Sequence, residues 1–361
     1  MKILEVCTSE SLGGLELYFV KCCEKLSQDK SPSIQGYIRK GSLIHKSLKD
    51  SKIKFHALAK TGILSRAIHL SSTIRSFRPN IVHSHVKTDL APIALAKVFS
   101  GHKFKHVHTR QMNMPRSKKG LYHRFIYSHI DLFITITERL KQQVKEKVGL
   151  PDHKVHCLYY GVPAPKLRKQ NPFHGMGSSP IKIGIVGRID RKKNQHLAIQ
   201  AASHLKSKNI LIDLFLVGSI SHPDYERYLK EQISSLNLGD QVFLTGFMDQ
   251  PQTIMPYFDM VVLTTADETF GLVLAEAMRM GVAVIGASGG GVPEIIDHEK
   301  TGLLFQPGDS QSLANAIEKL VNDKRLLEEL ALQGKQKADK FFNIAHHFKA
   351  LEATFQELNV D

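Results

Sequence analysis

The chain has 361 residues, 42% of them hydrophobic and 23% charged, an ordinary globular composition that excludes collagen, coiled coil and disorder as its main state. It exceeds the roughly 250–300 residues at which a single core stops growing, which predicts two domains. The net charge of +15 is one-sided: residues 1–165 carry 28 Lys and Arg against 11 Asp and Glu, while residues 166–361 carry 21 against 23, so the first half suits an anionic partner such as nucleic acid, a membrane surface or an anionic substrate.

The N-terminus reads as a strand over residues 3–7, with no apolar stretch of signal-peptide type, so a cytoplasmic protein is expected. No apolar run approaches the ~20 residues that cross a bilayer. A Gly13-Gly14 turn leads into a helix over 15–26, with Leu15, Phe19, Cys22 and Leu26 on one face. Strands follow at 81–83, 105–109 and 132–137. Pro163, Pro165, Pro172, Gly175, Gly177, Ser178, Ser179 and Pro180 then interrupt the rhythm as a linker would. Strands resume at 181–187, 212–217, 242–244, 260–264 and 282–285, and the chain is largely helical from Ser312 onward. This alternation predicts an α/β protein of two doubly wound parallel-sheet domains. The expected division is 1–165, a linker over 166–180, a second domain over 181–340, and a C-terminal helix over 341–361 that packs back on the first domain. Ligands bind beyond the C-terminal ends of such strands, which places the site in a cleft between strand-end loops.

Several chemistries are excluded. There is no GxGxxG, no GxxxxGK[ST] and no HExxH, which removes a standard dinucleotide site, a P-loop and a zincin. Ser84-His85-Val86-Lys87 and Lys300-Thr301-Gly302 match two β-lactamase signatures, but the third is missing. Cys7, Cys22, Cys23 and Cys157 form no CxxC or zinc spacing and read as small apolar fillers. The 19 histidines look scattered, so no metal site is expected.

Three segments remain. The strand at 260–264 runs into Asp267-Glu268-Thr269-Phe270-Gly271-Leu272 and a helix ending near Met280. The amides of a helix start suit a phosphate, Glu268 just before them suits sugar hydroxyls, and Glu276, two turns in on the face of Leu272, suits a second diol. A capping carboxylate plus a solvated glutamate is the plain alternative. Arg188-Ile189-Asp190-Arg191-Lys192-Lys193 follows the first strand of the second domain and offers phosphate-binding cations, or simply a basic turn. Ser11-Leu12-Gly13-Gly14-Leu15-Glu16 follows the first strand of the chain and lets backbone approach a ligand, or is an ordinary turn.

Together these segments resemble the retaining GT-B glycosyltransferases of family 4. Pro79-Asn80-Ile81-Val82-His83-Ser84-His85, Gly161-Val162, Gly290-Gly291-Val292-Pro293-Glu294 and Thr301-Gly302-Leu303-Leu304-Phe305 support the likeness, although Tyr160 stands where the family pattern has asparagine. The resemblance implies two Rossmann-like domains facing across a cleft and a hexosyltransferase using a nucleotide diphosphate sugar. Arg188 and Lys193 would hold the leaving diphosphate in place of a metal, so no cofactor is required. Glu268 would bind the transferred sugar, Thr269 and the amides of Phe270, Gly271 and Leu272 would meet sugar or phosphate, and Glu276 would hold the ribose. Gly13 and Gly14 would approach the diphosphate from the first domain, where His85, Arg110, Gln111 and Glu16 would lie on the acceptor side. Retention would proceed by front-face attack without a protein nucleophile.

The basic stretch Lys103, Lys105, Arg110, Arg116, Lys118, Lys119 and Arg124 adjoins Leu121, Tyr122, Phe125 and Ile126. That amphipathic pattern suits an anionic membrane or glycolipid, so the expected acceptor is an anionic, lipid-linked glycan such as a lipopolysaccharide core in cell-envelope synthesis. The protein would sit peripherally on the inner face of the cytoplasmic membrane. A nucleotide-sugar epimerase and a nucleic-acid binder are the alternatives, although no nucleic-acid module is recognisable.

Overall fold

Short aliphatic runs punctuated by glycine, proline and asparagine form strands, and the amphipathic stretches between them form the covering helices. The structure is a computed structural model describing residues 1–361 except 28–31, 49–50, 52, 60–61, 165 and 361. Pro165 of the expected linker thus lies outside the described residues. The chain divides into two units, Met1–Tyr159 with His346–Asp361, and Tyr160–Ala345.

Among the described residues, the first unit holds strands β1 (Lys2–Cys7), β2 (Ser33–Arg39), β3 (Lys54–Leu58), β4 (Ile81–Ser84), β5 (Lys105–Arg110), β6 (Leu132–Thr135) and β7 (Val155–Cys157). They form one parallel sheet in the order β3-β2-β1-β4-β5-β6-β7. The order reverses between β1 and β4, where Glu5 pairs in register with His83. The helix Gly14–Leu26 covers this region and buries Tyr18, Phe19, Cys22, Cys23 and Leu26. The C-terminal helix Ile344–Val360 supplies further core: Leu351 and Phe355 are fully buried, and the Phe355 ring stands edge-on 5.2 Å from His83.

Among the described residues, the second unit holds β8 (Lys182–Val186), β9 (Asp213–Val217), β10 (Val242–Gly246), β11 (Met260–Leu263), β12 (Ala283–Ala287) and β13 (Leu303–Phe305). Their order is β10-β9-β8-β11-β12-β13, again parallel, with the reversal between β8 and β11. A doubly wound sheet opens a crevice at such a reversal, beyond the C-terminal strand ends.

Residues 166–180 form no helix or strand among those described, yet they are anchored within the second unit. Phe173 is buried, its ring 4.7 Å from Phe215 and 5.0 Å from Phe258. Where the chain enters this unit, the Val162 carbonyl accepts from the Arg279 guanidinium at 2.7 Å and from the Ile344 amide at 3.1 Å. Arg279 is buried and completes its pairing on Asp339 at 3.2 Å. The incoming and outgoing segments are thereby fastened side by side.

Candidate functional site

The loops after β8 and β11 meet at the reversal of the second sheet. After β8, Asp190 caps a single turn by accepting from the Lys192 amide at 3.0 Å. Gln195 Nε2 donates to the Arg188 carbonyl at 2.9 Å, and Thr264 Oγ1, one residue past β11, donates to the Lys193 carbonyl at 2.6 Å. These bonds fix the backbone and leave the cationic ends projecting. The Arg188 side chain is 66% exposed, with Asp190 the nearest carboxylate at 4.0 Å.

Lys193 Nζ donates to Glu268 Oε2 at 2.6 Å. The two side chains are 32% and 20% exposed, and a partly solvated pair of this kind is worth at most about 1 kcal/mol. An incoming anion can therefore take the ammonium at little cost. Glu268 is itself held by backbone: its carbonyl accepts from the Gly291 amide at 2.7 Å, and Oε1 accepts from the Thr269 amide at 3.1 Å. The facing turn approaches so closely that a Cβ on Gly290, whose φ is +64°, would lie 1.9 Å from the Glu268 carbonyl oxygen.

Beyond Glu268, Gly271 has a φ of +101° and starts the helix Leu272–Arg279, whose first intrahelical bond is Leu274 N to Gly271 O at 2.9 Å. The amides ahead of that bond form the positive end of the helix. Phe270 turns its ring inward, 5.7 Å from both Tyr160 and Phe342, so its contribution to the site is backbone. Thr269, Leu272 and Glu276 are half-buried. Sequence reasoning missed Thr264 and Gln195; each is a polar side chain at the boundary of an apolar element, and that is the signal that marks them.

The first unit assigns other partners to several predicted residues. Glu16 is a helix cap: Oε2 accepts from the Gly13 amide at 2.8 Å, and Oε1 accepts from the Ser11 hydroxyl at 2.9 Å and from Ser9. Burial raises this carboxyl, and the bonds from Ser9, Gly13 and Ser11 outweigh that and hold it below the usual carboxylate range. His85 is only 2% exposed, with Nε2 2.7 Å from Glu5 Oε2. Arg110 donates to the carbonyls of Met112 (2.6 Å) and Asn113 (2.8 Å), and Gln111 is buried. In this structure Glu16 caps its own helix and His85 is buried against Glu5. Gly13 and Gly14 differ. Neither has a positive φ, and a Cβ on Gly14 would meet nothing within 4 Å, so packing does not require a glycine there.

Two of the 19 histidines that looked scattered meet in one cluster. Among the described residues, Glu5, Cys22, His83 and His85 bring one potential ligand atom each within 4.8 Å of one another. On the surface, the helix Leu121–Ser128 turns Ile126 inward and leaves Leu121 84%, Tyr122 59% and Phe125 41% exposed. No helix among the described residues is long and apolar enough to cross a membrane.

Two family models match, "Glycosyltransferase Family 4" over residues 51–164 and "Glycosyl transferases group 1" over residues 168–337. The amylovoran biosynthesis glycosyltransferase AmsK of Erwinia amylovora is 28% identical over 64% of this chain and 58% of its own length. The chain spans less than two thirds of the length of the curated relatives first matched. Anabaena Alr3699/HepE in complex with UDP superposes with a TM-score of 0.84 at 21% identity, covering 99% of this chain and 100% of that one. The apo lipopolysaccharide outer core galactosyltransferase WaaB gives 0.77 at 17% identity, covering 99% and 100%. These likenesses identify the fold as GT-B.

Proposed function

We infer that this chain, which belongs to the group 1 and family 4 glycosyltransferases, transfers a hexose-type sugar from a nucleoside diphosphate sugar to a glycan acceptor with retention of configuration. The observation that carries the reading is the Lys193–Glu268 pair at the β8/β11 reversal, with Arg188 exposed on the same strand-end loop as Lys193. Opposite charges at 2.6 Å mark where an anion and a hydroxyl-bearing group replace each other's partners. A diphosphate takes Lys193 and the Arg188 fork; Glu268, released, accepts from sugar hydroxyls. As the glycosidic bond to the diphosphate breaks, negative charge grows on the leaving oxygen, and fixed cations there are the largest available stabilisation. Glu276, on the same helix face as Leu272, binds the ribose diol. A donor phosphate oxygen receives the acceptor proton in a front-face reaction, and the cations make a metal unnecessary for this step.

Uridine is the base proposed, because the Anabaena neighbour binds UDP. Calorimetry with UDP, GDP and ADP, with and without EDTA, tests this. UDP is expected to bind equally well in EDTA, and Arg188→Ala to weaken it about tenfold or more, as loss of a charged hydrogen-bonding group does. No binding of any diphosphate, or an affinity unchanged in Arg188→Ala, would remove the assignment.

The acceptor proposed is an anionic, lipid-linked envelope glycan of lipopolysaccharide type, reached from the cytoplasmic membrane face. The polysaccharide roles named for AmsK and WaaB support it, as do three exposed apolar side chains on a helix flanked by Arg116, Lys119 and Arg124. Each basic residue near an anionic surface contributes about 1 kcal/mol. The protein is expected to co-sediment with phosphatidylglycerol vesicles, less so at high salt, and Leu121→Asp with Phe125→Asp to abolish this. Binding independent of anionic lipid content would sink the membrane reading.

A further inference from the structure

Glu5 is fully buried on β1, and the ion-pair partners it has among the described residues are two histidines, His83 (Nδ1 to Oε2, 3.0 Å) and His85 (Nε2 to Oε2, 2.7 Å). No arginine or lysine is paired with it among the described residues. Cys22, fully buried on the helix Gly14–Leu26, closes the group from above the sheet. We propose that Glu5, Cys22, His83 and His85 form a closed structural site for one zinc ion, which fastens the helix Gly14–Leu26 to β1 and β4.

Four points of geometry and chemistry support it. First, one thiol, two imidazoles and one carboxylate are the ligand types zinc takes, and four protein ligands make the closed tetrahedron of a structural site. Second, bonds of about 2.0–2.3 Å require ligand atoms about 3.3–3.8 Å apart. The four potential ligand atoms lie within 4.8 Å of one another; the contacts of Glu5 with the histidines, at 2.7–3.1 Å, would open by about 0.2–0.7 Å, and a separation at the 4.8 Å bound would close by about 1 Å. Third, charge balances. A divalent cation with one carboxylate, one thiolate and two neutral imidazoles is neutral, whereas a lone buried carboxylate is costly. Loading releases the Cys22 thiol proton to solvent.

Fourth, the surroundings are those of a ligand set. His83 Nε2 lies 2.7 Å from Thr109 Oγ1, the outer partner that orients a metal-bound imidazole. His85 meets the group through Nε2, and its Nδ1 is buried with no hydrogen-bond partner, so this ring lacks the outer partner that His83 has. Tyr18 stands beside Cys22, and its hydroxyl bonds His347 Nε2 at 2.8 Å. The site is separate from the proposed donor-binding residues of the second unit and does not depend on the transferase reading.

The test uses the full chain, unfolded and refolded with Zn²⁺, with Co²⁺ or with EDTA. Elemental analysis after gel filtration is expected to give one zinc per chain, with Tm raised by about 5 °C or more over the EDTA sample. The cobalt form is expected to show tetrahedral d–d bands and a thiolate-to-cobalt charge-transfer band. Cys22→Ala should lose that band, while Cys23→Ala, next to it but outside the group, should keep it. If the cysteine variants do not fold, stoichiometry and spectrum of the unaltered chain decide. Refolded protein with no bound metal, no thiolate band and one common Tm would overturn the proposal and leave a hydrogen-bonded Glu–His network.

Discussion

Lys193→Ala is expected to lower kcat by about 10²–10³-fold, the effect of deleting one preorganised group at a developing anion. The residue carries little of the fold. Its side chain is 32% exposed and pairs with a carboxylate that is also partly solvated, a contact worth about 1 kcal/mol or less. Its backbone, fixed by Thr264, is untouched by the substitution. Steady-state kinetics with UDP-sugars and a melting curve on the same sample separate the two roles. The expected result is a Tm within a few degrees of the parent and a collapse in kcat. A kcat within about threefold of the parent would remove Lys193 from the leaving-group site.

Gly290→Ala is expected to be nearly as damaging to activity, by a different route. The new Cβ would stand 1.9 Å from the Glu268 carbonyl oxygen and 2.7 Å from its amide nitrogen, at a φ of +64°. Both neighbours are main chain, so the turn and the 266–268 segment must move apart. A displacement near 1 Å in a positioning group costs about 10²-fold in kcat/KM. Some loss of Tm should accompany it, since a strained φ costs on the order of 1 kcal/mol. Gly14→Ala is the instructive contrast, because its Cβ meets nothing within 4 Å. An unchanged Tm with reduced activity there would report approach of a ligand to the backbone. Full activity and an unchanged Tm in Gly290→Ala would mean that this turn does not set Glu268.

The architecture was legible where strands are buried on both faces and hydrophobic throughout. Residues 260–264 and 212–217 read as strands because β11 is apolar throughout and β9 is apolar after its first residue, Asp213. β2 and β3 were not recognised. β2 carries Gly36, which breaks the apolar pattern because the ring of Phe55 occupies the place of its Cβ, and β3 is a half-buried edge. In the candidate site, the approach of the Lys193 and Glu268 segments could be anticipated because each follows a strand end, where doubly wound sheets gather their loops. The capping role of Glu16 was not legible, because a carboxylate three residues after a glycine turn reads equally as a cap or as a ligand contact. The Glu5, Cys22, His83 and His85 group was invisible for a related reason. Its members lie up to 80 residues apart, and only the β1–β4 register and the overlying helix bring them together.

The segment from His346 onward belongs to the unit that begins at Met1, although the whole of Tyr160–Ala345 lies between them. During vectorial synthesis, residues 1–159 leave the ribosome long before Leu351 and Phe355 exist. Each of those side chains stabilises by roughly 1.5–3 kcal/mol once buried. The half translated first is thus the half completed last, and until then it displays the apolar and histidine-bearing surface that the tail will cover. The same order governs dissection of the gene: a first unit cut at Tyr159 lacks part of its own core, and a circular permutant that joins 346–361 to Met1 restores it.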